Sequence, residues 1–522
     1  MRLPNAALFS LSDKSGAAEL AGALAESGTV IYATGGTRKF LAEHGIDARE
    51  VEDLTGFPAL FDGRVKTLHP KVFGAILADR SNSEHVAQAE QYNIPAMRTV
   101  VVNLYPFEET VAREGTGLAE AIEQIDIGGV SLIRAAAKNF AHVAVLSDPD
   151  QYVEFLRALR GGGLDTAGRR RLAVSAFQRT AEYDAAIAHY LAEDGKHLPS
   201  ELPGALTLTL PLSQRLRYGE NPQSRAAFYL GHREALPEQL HGKALSYNNL
   251  LDLDGTLRLL SRAPIGAEFG SEHERFVRAA IVKHTVPCGV AQRSTVSKAV
   301  DDALAADPVS AYGGIIAVDA KIDEISANAL SAFFLEIVAA PEFDEAALAI
   351  LKRKKNLRIM RYRRNAPDDL MRVLRVRSAL GGVLAEEIDP AGKPERWRVV
   401  SRRQPTAQEW HDLAFAWDIV RHVKSNGVVI ARDGATRGIC AGQTNRVSAV
   451  KIAGVRAGEN AQGSACASDG YFPFADGLEE AVKAGCTAVI APEGSVRDSL
   501  VIEAADRLGI SLVFSTHRYF LH

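Results

Sequence analysis

Short apolar segments alternate with amphipathic segments over the first 150 residues of the chain. The first apolar segment is followed by Ser12 and Asp13, which can cap a helical pattern over residues 14–26. The strand-like segments are 6–10, 29–33, 99–103 and 142–146. Because alternating strands and helices favour a parallel sheet covered on both faces, we expect an α/β domain over residues 1–150.

The pattern changes near residue 200. A polar stretch between Gly195 and Pro203 separates a long helical pattern from a new strand-like segment, so we place a domain boundary there. Beyond it, apolar segments resume at 279–283, 314–318, 427–431 and 487–491. They predict a second α/β region whose two lobes divide within residues 351–408.

Length and composition agree with a folded, multidomain protein. The chain has 522 residues, whereas a single hydrophobic core rarely grows beyond ~250–300 residues. Hydrophobic residues make up 47% and charged residues 24%, which is typical of globular proteins. The formal charge of -4 provides no overall basic field, so we expect no nucleic-acid partner.

No apolar stretch approaches the ~18 residues of a membrane span, and the first residues lack the apolar core of a secretory signal. We therefore expect a cytoplasmic protein with no membrane partner. The cysteines are far apart and form no CxxC pair, which argues against a disulfide framework or a zinc site. They are Cys288, Cys440, Cys466 and Cys486.

Two hydroxyl-rich turns, 10–16 and 34–37, each follow a predicted strand and open a helix. Backbone N–H groups, hydroxyls and Lys14 can converge there on an anion. Either turn alone could be an ordinary helix cap, but two on consecutive strands favour a monophosphate site. The chain contains neither GxxxxGK[ST] nor GxGxxG, so triphosphate and dinucleotide loops are not indicated.

A second group of polar residues surrounds the same predicted sheet edge. A loop bounded by Gly63 and Pro70 carries Arg64, Lys66, Thr67 and His69, although a solvated charge run would have the same composition. Asn103 and Tyr105 follow a buried strand, and Asp126 leads into a helix that carries Arg134 and Lys138. Tyr105 and Asp126 could be a core-edge tyrosine and a helix cap, but strand ends are also where side chains reach ligands.

Taken in chain order, six strings within residues 1–150 resemble a family of bifunctional purine-biosynthesis proteins. That family combines phosphoribosylaminoimidazolecarboxamide (AICAR) formyltransferase with inosine monophosphate (IMP) cyclohydrolase. The strings are LFSLSDKSG, ATGGT, LTGFP, GRVKTLHP, VNLYPF and EQIDIGGVSLIRAAAKN. The helical string RLAVSAFQRTAEYDAAI is similar to the family's connector, which we assign to residues 151–199. One departure is Phe73, where the family usually has a histidine.

Eight further strings resemble the formyltransferase half of the family, so the likeness covers essentially the whole chain. They are LRYGENP, GKALSYNNLLD, KHTVPCG, DPVSAYGG, VKSN, AGQTNR, ASDGYFPFADG and THRYFLH. Each string alone is weak, whereas eight in the family's order are very specific.

The resemblance implies a methylglyoxal-synthase-like three-layer α/β domain over residues 1–150, which closes the purine ring. It implies a two-lobed, cytidine-deaminase-like α/β domain without zinc over residues 200–522, which transfers a formyl group. The formyl group passes from 10-formyltetrahydrofolate to AICAR, giving formyl-AICAR (FAICAR), and FAICAR then closes to IMP with loss of water. The family also suggests no tightly bound cofactor, a structural potassium ion, and a homodimer with shared formyltransferase sites.

Formyl transfer needs a base and an oxyanion donor, because the lone pair of the AICAR amine is delocalised. A histidine that titrates near neutrality can contribute ~10²–10⁴-fold as acid or base, which is the role we expect for His284, while Lys283 and Asn426 can stabilise the formyl oxygen. A lysine–histidine pair without this context is more often a surface pair. The remaining predicted substrate contacts of this half are Arg217, Tyr218, Asn249, Tyr312, Gly313, Arg446, Tyr471, Phe472, Pro473, Asp476 and Arg518.

For these contacts, a guanidinium matches phosphate or carboxamide oxygens, aromatic rings form walls for the imidazole and pterin, and Asp476 can accept from pterin N–H groups. Single arginines are more often structural, and aromatic stripes are more often core. Two departures fall here: Gln223 replaces the histidine of the family's NPHQ, and Val286 occupies a polar slot of KHTVPCG. Because the Gln223 amide cannot titrate as a histidine can, a slower formyl transfer is one expectation.

For ring closure, the family comparison places Lys66, Tyr105, Asp126 and Lys138 around the reacting atoms. Tyr105 or a lysine can donate to the departing hydroxyl, and Asp126 can accept from the carboxamide, but the identity of the base stays open. The other predicted contacts are Ser12, Lys14, Thr34, Gly36 and Thr37 for the phosphate, Arg64 and Asn103 for the base, and Thr67 and Gly128 near the helix start.

Some features allow other interpretations. A basic run comprises Lys352, Arg353, Lys354, Lys355, Arg358, Arg361, Arg363 and Arg364. It is most simply a solvated face, and our hypothesis is that it attracts the polyglutamate tail of the folate. The alternative functions are a cyclohydrolase with an impaired formyltransferase half, a nucleotide-binding regulatory protein, and, less favoured, a methylglyoxal-forming lyase.

Overall fold

The computed structural model describes residues 4–113, 115–192, 202, 204–230, 236–261, 276–363, 374–387 and 395–522. The chain divides into two compact units, Met1–Thr209 and Leu210–His522. Residues 151–192, which the sequence analysis assigned to a connector, lie in the first unit.

The first unit is built on one five-stranded sheet. Its strands are β1 (Asn5–Ser10), β2 (Val30–Ala33), β3 (Arg49–Glu50), β4 (Ala96–Val102) and β5 (Ala144–Leu146). Its helices are α1 (Ala17–Glu26), α2 (Gly35–Glu43), α3 (Val51–Thr55), α4 (Pro70–Leu77), α5 (Ser83–Gln91), α6 (Phe107–Val111), α7 (Leu118–Glu123), α8 (Gly128–Lys138), α9 (Tyr152–Arg160) and α10 (Thr166–Ala192). The strand order is β3-β2-β1-β4-β5, and all pairs are parallel.

The central strand β1 shows why this sheet is covered on both faces. Ala6 and Leu8 pack in a core cluster with α4, α8 and α10, whereas Ala7 and Phe9 pack in another with α1, α2 and α9. All four are fully buried, as expected where successive side chains of a parallel strand point to opposite, covered faces. The predicted parallel α/β domain is therefore confirmed; the short polar strand β3 has no apolar signal.

The second unit contains a 12-stranded sheet and two separate hairpins, β6–β7 and β14–β15. Its strands are β6 (Leu212–Leu216), β7 (Ala226–Tyr229), β8 (Glu238–His241), β9 (Val277–Lys283), β10 (Val286–Arg293), β11 (Ile315–Val318), β12 (Ile337–Ala340), β13 (Arg358–Arg361), β14 (Leu374–Ala379), β15 (Gly382–Glu387), β16 (Trp397–Val399), β17 (Val428–Arg432), β18 (Ala435–Cys440), β19 (Ala465–Ser468), β20 (Ala488–Pro492) and β21 (Ser511–Ser515). Its helices are α11 (Tyr247–Leu260), α12 (Val296–Ala306), α13 (Pro308–Ala311), α14 (Glu324–Ala332), α15 (Glu345–Leu351), α16 (Ala407–Val420), α17 (Arg446–Ala457), α18 (Asp476–Ala484) and α19 (Asp498–Leu508).

The order of the large sheet is β16-β21-β20-β19-β17-β18-β10-β9-β11-β12-β13-β8. The same arrangement occurs on both sides of the central β18–β10 pair. On one side, the hairpin β9–β10 is followed by β11, β12 and β13, and β13 pairs antiparallel with the edge strand β8. On the other side, the hairpin β17–β18 is followed by β19, β20 and β21, and β21 pairs antiparallel with the edge strand β16. We call residues 238–361 the first lobe and residues 397–515 the second lobe. Each lobe also has a 14-residue helix before its hairpin, α11 in the first and α16 in the second.

Helices α11 and α16 share one apolar core cluster, in which Trp417 of α16 is fully buried. Further clusters cover the other face of each lobe. The four cysteines are buried and free. In the described part of the chain, no helix is long and apolar enough to cross a membrane, and no group of three or more His, Cys, Asp or Glu could hold a metal ion.

Gly289 of β10 and Gly438 of β18 occupy corresponding places beneath a helix. A Cβ at Gly289 would lie 2.0 Å from Ala303 O, and one at Gly438 would lie 2.1 Å from Ala453 O. Because backbone atoms cannot easily move away, we expect Gly289→Ala and Gly438→Ala each to lower the free energy of unfolding by at least ~1–3 kcal/mol in urea denaturation.

Gly255→Ala is the matched control, since a Cβ there would meet Val282 Cγ1 at an ordinary 3.9 Å. Gly255 lies inside helix α11, so alanine should leave the free energy of unfolding unchanged or raise it slightly. Equal losses in the three variants would contradict the close-packing argument.

Candidate active sites

Asn103 organises the edge of the first sheet. It follows β4, is buried, and its Oδ1 accepts hydrogen bonds from the N–H groups of Ser12 (2.7 Å) and Asp13 (3.0 Å). Its Nδ2 donates to Asp13 O at 2.6 Å. The amide therefore fixes the turn after β1, rather than only facing a ligand.

The two hydroxyl-rich turns meet at this edge. Thr37 Oγ1 accepts from Leu11 N at 3.0 Å, and Thr34 Oγ1 donates to Thr37 Oγ1 at 3.5 Å. Lys14 Nζ donates to Ser12 O at 3.2 Å, while Gly36 is exposed in the first turn of α2. The predicted phosphate ligands are thus close together, because parallel strands end at the same edge.

Asp126 lies at the start of α8, at the same edge. Its Oδ1 accepts from Gly129 N at 2.7 Å, and its own N–H donates to Tyr183 Oη at 2.9 Å. A Cβ at Gly129 would lie 2.3 Å from Asp126 Oδ2, so only glycine fits beside this carboxylate. A Cβ at Gly128 would lie 2.8 Å from Thr67 Oγ1, which places the buried Thr67 against the helix start.

Three of the predicted ring-closure residues influence one another electrostatically. Burial raises the pKa of Asp126, although the Gly129 N–H and the charge of Lys66 act in the opposite direction. Burial also raises the pKa of Tyr105, and the nearby Asp126 carboxylate adds to this effect. The arrangement provides a carboxylate that is more basic than usual beside a phenol that stays protonated.

Two predicted residues make contacts outside this group. Arg64 is exposed and pairs with Glu123. Lys138 lies at the last turn of α8, about 16 Å along the 11-residue helix from its start beside Asp126. It lines a cleft of about 570 Å³ that also contains Phe73 and Phe177. Within this chain, Lys138 is therefore not brought to the other ring-closure residues.

In the second unit, Lys283 and His284 lie at the β9–β10 hairpin. His284 (φ 57°) and Thr285 (φ 59°) both have left-handed backbone conformations. Asp252 of α11 accepts from both of their N–H groups, at 3.3 Å from His284 and 2.6 Å from Thr285. Lys283 Nζ donates to Tyr312 O at 2.7 Å, and the His284 side chain is exposed.

A polar network lies next to this hairpin. Asn249 Nδ2 donates to Glu336 Oε2 at 2.9 Å, and Arg358 Nη1 lies 3.3 Å from the same oxygen. Burial lowers the pKa of Arg358, with smaller effects from Glu336, Arg217 and Tyr218, so these groups share one neighbourhood. Arg217 Nη2 donates to Tyr218 Oη at 2.9 Å.

A second cluster lies in the second lobe and at the C-terminus. Asn426 Nδ2 donates to Gln443 O at 2.7 Å. Arg446 forms a buried ion pair with Asp469, and a Cβ at Gly470 would lie 2.4 Å from Arg446 Nη2. The residues predicted to contact the substrate rings differ in exposure, since Phe472 is buried whereas Tyr471 and Pro473 are exposed.

Asp476 and Arg518 lie at the surface of this region. Asp476 Oδ1 accepts from Gly477 N at 2.8 Å, and Arg518 stacks over the Phe520 ring at 4.3 Å. Among the described residues, no polar contact joins Lys283 or His284 to Asn426 or Arg518. The predicted formyl-transfer residues therefore form two clusters within one chain.

Four residues of these clusters were missed by the sequence analysis. They are Asp252, Glu336, Arg358 and Asp469. Asp252 ends the string GKALSYNNLLD and Asp469 lies within ASDGYFPFADG, so their strings were noticed but their roles were not. Arg358 was counted only as part of a charge run, and Glu336 had no signal.

The basic run is not one solvated face. Lys354 Nζ donates to Phe333 O at 2.6 Å, Arg358 is buried beside Glu336, and Arg361 pairs with Glu238 at 2.5 Å. Exposed cations in the run include Lys352, Arg353 and Lys355, and Arg364 lies outside the described residues. The folate-tail hypothesis stays a prediction that now concerns mainly these exposed cations.

Comparison with known proteins identifies the family. A profile described as AICARFT/IMPCHase bienzyme matches residues 136–456, and one described as MGS-like domain matches residues 16–131. A "Bifunctional purine biosynthesis protein PurH" of Desulfitobacterium hafniense is 48% identical over 527 residues, covering 99% of each chain. A protein of the same name from Bacillus cereus is 45% identical over 525 residues, also covering 99% of each.

Among solved structures, the crystal structure of ForH is 36% identical and covers 36% of this chain and 98% of its own, with a TM-score of 0.33. The profile and the full-length relatives account for both units. The chain therefore belongs to the AICARFT/IMPCHase bienzyme family and is an enzyme of purine biosynthesis with formyltransferase and cyclohydrolase activities.

Proposed function

We propose that the last two steps of IMP synthesis use two separate groups of residues in this chain. Ring closure of FAICAR takes place at the edge of the first sheet, around Lys66, Tyr105 and Asp126. Formyl transfer from 10-formyltetrahydrofolate to AICAR takes place at the hairpin of Lys283 and His284. The observation that carries the proposal is the Asp252-bound turn, which presents His284 to solvent beside Lys283.

In ring closure, the carboxamide nitrogen attacks the formyl carbon, a C–N bond forms, and the formyl oxygen leaves as water. Since both groups belong to one molecule, correct placement supplies several kcal/mol of the barrier reduction. Asp126 accepts the proton from the nitrogen, because burial makes its carboxylate a stronger base. Tyr105 or Lys66 donates to the departing hydroxyl.

The phosphate of the nucleotide binds at the two hydroxyl-rich turns. Lys14 supplies positive charge, and Thr34 and Thr37 supply hydroxyl donors near the first turn of α2. Helix N-termini attract phosphate because their first N–H groups have no partner within the helix.

In formyl transfer, the AICAR amine attacks the formyl carbon, and the bond from that carbon to the folate nitrogen breaks. His284 accepts the proton of the amine and can return it to the departing nitrogen. Lys283 and Asn426 stabilise the charge on the formyl oxygen. The network of Asn249, Glu336 and Arg358 lies beside this hairpin and contributes to binding of the nucleotide.

We further propose that the enzyme is a cytoplasmic homodimer with shared formyl-transfer sites. The reason is that Lys283 and His284 occupy one cluster of this chain, whereas Asn426 and Arg518 occupy another. A second copy can place the second cluster of one subunit against the hairpin of its partner. The cleft that Lys138 lines is a further surface that a second copy can cover.

A structural potassium ion fits one position in the second lobe. The Oδ2 atom of Asp469 is buried without a hydrogen-bond partner among the described residues, while its Oδ1 pairs with Arg446. Carboxylate and carbonyl oxygens are suitable ligands for hard cations. The ion would balance charge and stabilise the turn around Asp469, with no part in a chemical step.

Asp126→Asn tests the ring-closure base. We expect kcat for FAICAR closure to fall ~10²–10⁴-fold, because the amide cannot accept the proton. In the parent, kcat should fall as the pH is lowered through the raised pKa of Asp126, since only the carboxylate is active; this acid limb should be absent in the variant. The measurement is a pH–rate profile with FAICAR alone.

Asp165→Asn is the matched control for this experiment. Asp165 Oδ1 also accepts from the N–H of a glycine three residues later, Gly168, at 2.7 Å, but it lies at the start of α10. It should keep the parental profile. A similar loss in both variants would indicate a structural effect and contradict the assignment of Asp126.

His284→Gln tests the formyl-transfer base. We expect formyl transfer to fall ~10²–10⁴-fold while FAICAR closure stays at the parental rate, because the two reactions use different units. His411→Gln is the control, since His411 lies beside the corresponding hairpin of the second lobe, 3.3 Å from a Cβ built at Gly434. Unchanged formyl transfer in His284→Gln would remove the histidine from the mechanism.

A mixed dimer tests whether the sites are shared. His284→Gln and Asn426→Ala should each be nearly inactive in formyl transfer when expressed alone. When the two variants are co-expressed, half of the dimers are mixed and each mixed dimer has one intact site, so activity should return to about a quarter of the parental value. Activity that stays at the level of the single variants would show that both clusters act within one subunit.

A further inference from the structure

The two lobes share specific contacts as well as strand order. In the first lobe, Thr285 N donates to Asp252 Oδ1 at 2.6 Å; in the second, Gly434 N donates to Asp412 Oδ1 at 3.1 Å. Both aspartates come from the 14-residue helix that precedes the hairpin. The aspartate is therefore a repeated structural element that holds each hairpin turn.

The cation before each turn makes a repeated contact as well. Lys283 Nζ donates to Tyr312 O at 2.7 Å, and Arg432 Nη1 donates to Gln462 O at 2.6 Å. In each lobe the following residue is a glycine with positive φ, 77° at Gly313 and 71° at Gly463. The corresponding surroundings allow the two turns to be compared residue by residue.

The two turns differ in what they require of the backbone. In the second lobe the left-handed residues are Asp433 and Gly434, and glycine adopts positive φ without steric cost. In the first lobe they are His284 and Thr285, and a β-branched residue is strained in this region. Only the first turn binds its aspartate through both N–H groups. The carboxylate of Asp252 therefore supports a strained turn that carries the proposed base.

Asp252 also interacts electrostatically with the groups around it. Burial raises the pKa of Asp252, whereas the two backbone N–H groups and the charge of His284 lower it. The other titratable groups facing it are Glu336, which adds negative charge, and the buried thiol of Cys288 on β10. Asp252 and His284 therefore interact through charge as well as through the backbone hydrogen bond.

We propose that Asp252 is a positioning residue for formyl transfer, which holds the His284–Thr285 turn and thereby aims the imidazole of His284 at the AICAR amine. The inference rests on the proposed role of His284 but extends it to a residue that need not touch a substrate. A misplacement of a reacting group by 1 Å can cost ~10²-fold in rate, so the effect should appear in kcat rather than in KM.

The test compares Asp252→Asn with Asp412→Asn, and each variant is assayed for kcat and KM in formyl transfer and for thermal unfolding. Asparagine keeps one acceptor oxygen but turns an N–H donor towards the second N–H group. In Asp252→Asn we expect kcat to fall ~10²-fold with KM for AICAR little changed. Asp412→Asn should lower the unfolding temperature while kcat stays parental.

Thr285→Gly provides a second measurement in the Asp252→Asn background. Glycine adopts the left-handed conformation without the support of a carboxylate, as Gly434 does in the second lobe, so part of the lost kcat should return. This double variant also relieves strain and so guards against a simple failure to fold.

Three results would overturn the inference. They are a parental kcat in Asp252→Asn, an equal loss of kcat in Asp252→Asn and Asp412→Asn, or no recovery in the double variant. His284→Gln is assayed alongside, because its result distinguishes a failure of the proposed function from a failure of the inference. If it keeps the parental kcat, the proposed function fails and the inference fails with it; if it loses activity and Asp252→Asn does not, only the inference fails.

Discussion

Strands buried on both faces constrain where this enzyme can place its reactive groups. In β1 and β9, runs of apolar residues are fully or almost fully buried, because helices cover both sides of each sheet. A polar side chain within such a strand would lose its hydrogen bonds to water, so polar residues collect at the strand ends. Asn103 follows β4, Lys283 ends β9, and Asp469 follows β19. The proposed chemistry of both units therefore depends on the turns at the ends of the strands.

The same constraint explains which parts of the fold could be predicted from sequence. Buried strands appear as apolar runs, so the parallel sheet of the first unit and the α/β character of the second were foreseen, and the first-unit strands were located within a few residues. The two-residue strand β3 was missed, since Arg49 and Glu50 have no apolar pattern. Neighbouring strand ends also predicted that Thr34, Thr37 and the turn after β1 would meet.

The internal repeat of the second unit could not be read from sequence, because its contacts involve backbone atoms and accept different side chains. Lys283 corresponds to Arg432, His284 to Asp433, and Thr285 to Gly434. The helix caps also correspond: Ser246 pairs with Asn249 in the first lobe, and Thr406 pairs with Glu409 in the second. The partners of these two cap residues differ: Glu409 is buried and forms an ion pair with Arg403 at 2.8 Å, whereas Asn249 donates to Glu336.

The two reactions place different demands on these frameworks. Ring closure joins two groups of one molecule, so a site that fixes the nucleotide through its phosphate and turns already supplies much of what the reaction needs. Formyl transfer joins two molecules, and water competes with the amine for the formyl carbon unless the site is covered. The side chain of His284 is exposed in the single chain, so the proposed mechanism requires another surface to cover it during transfer. In the proposed homodimer, a second subunit that brings Asn426 and Arg518 would provide both the cover and the missing donors.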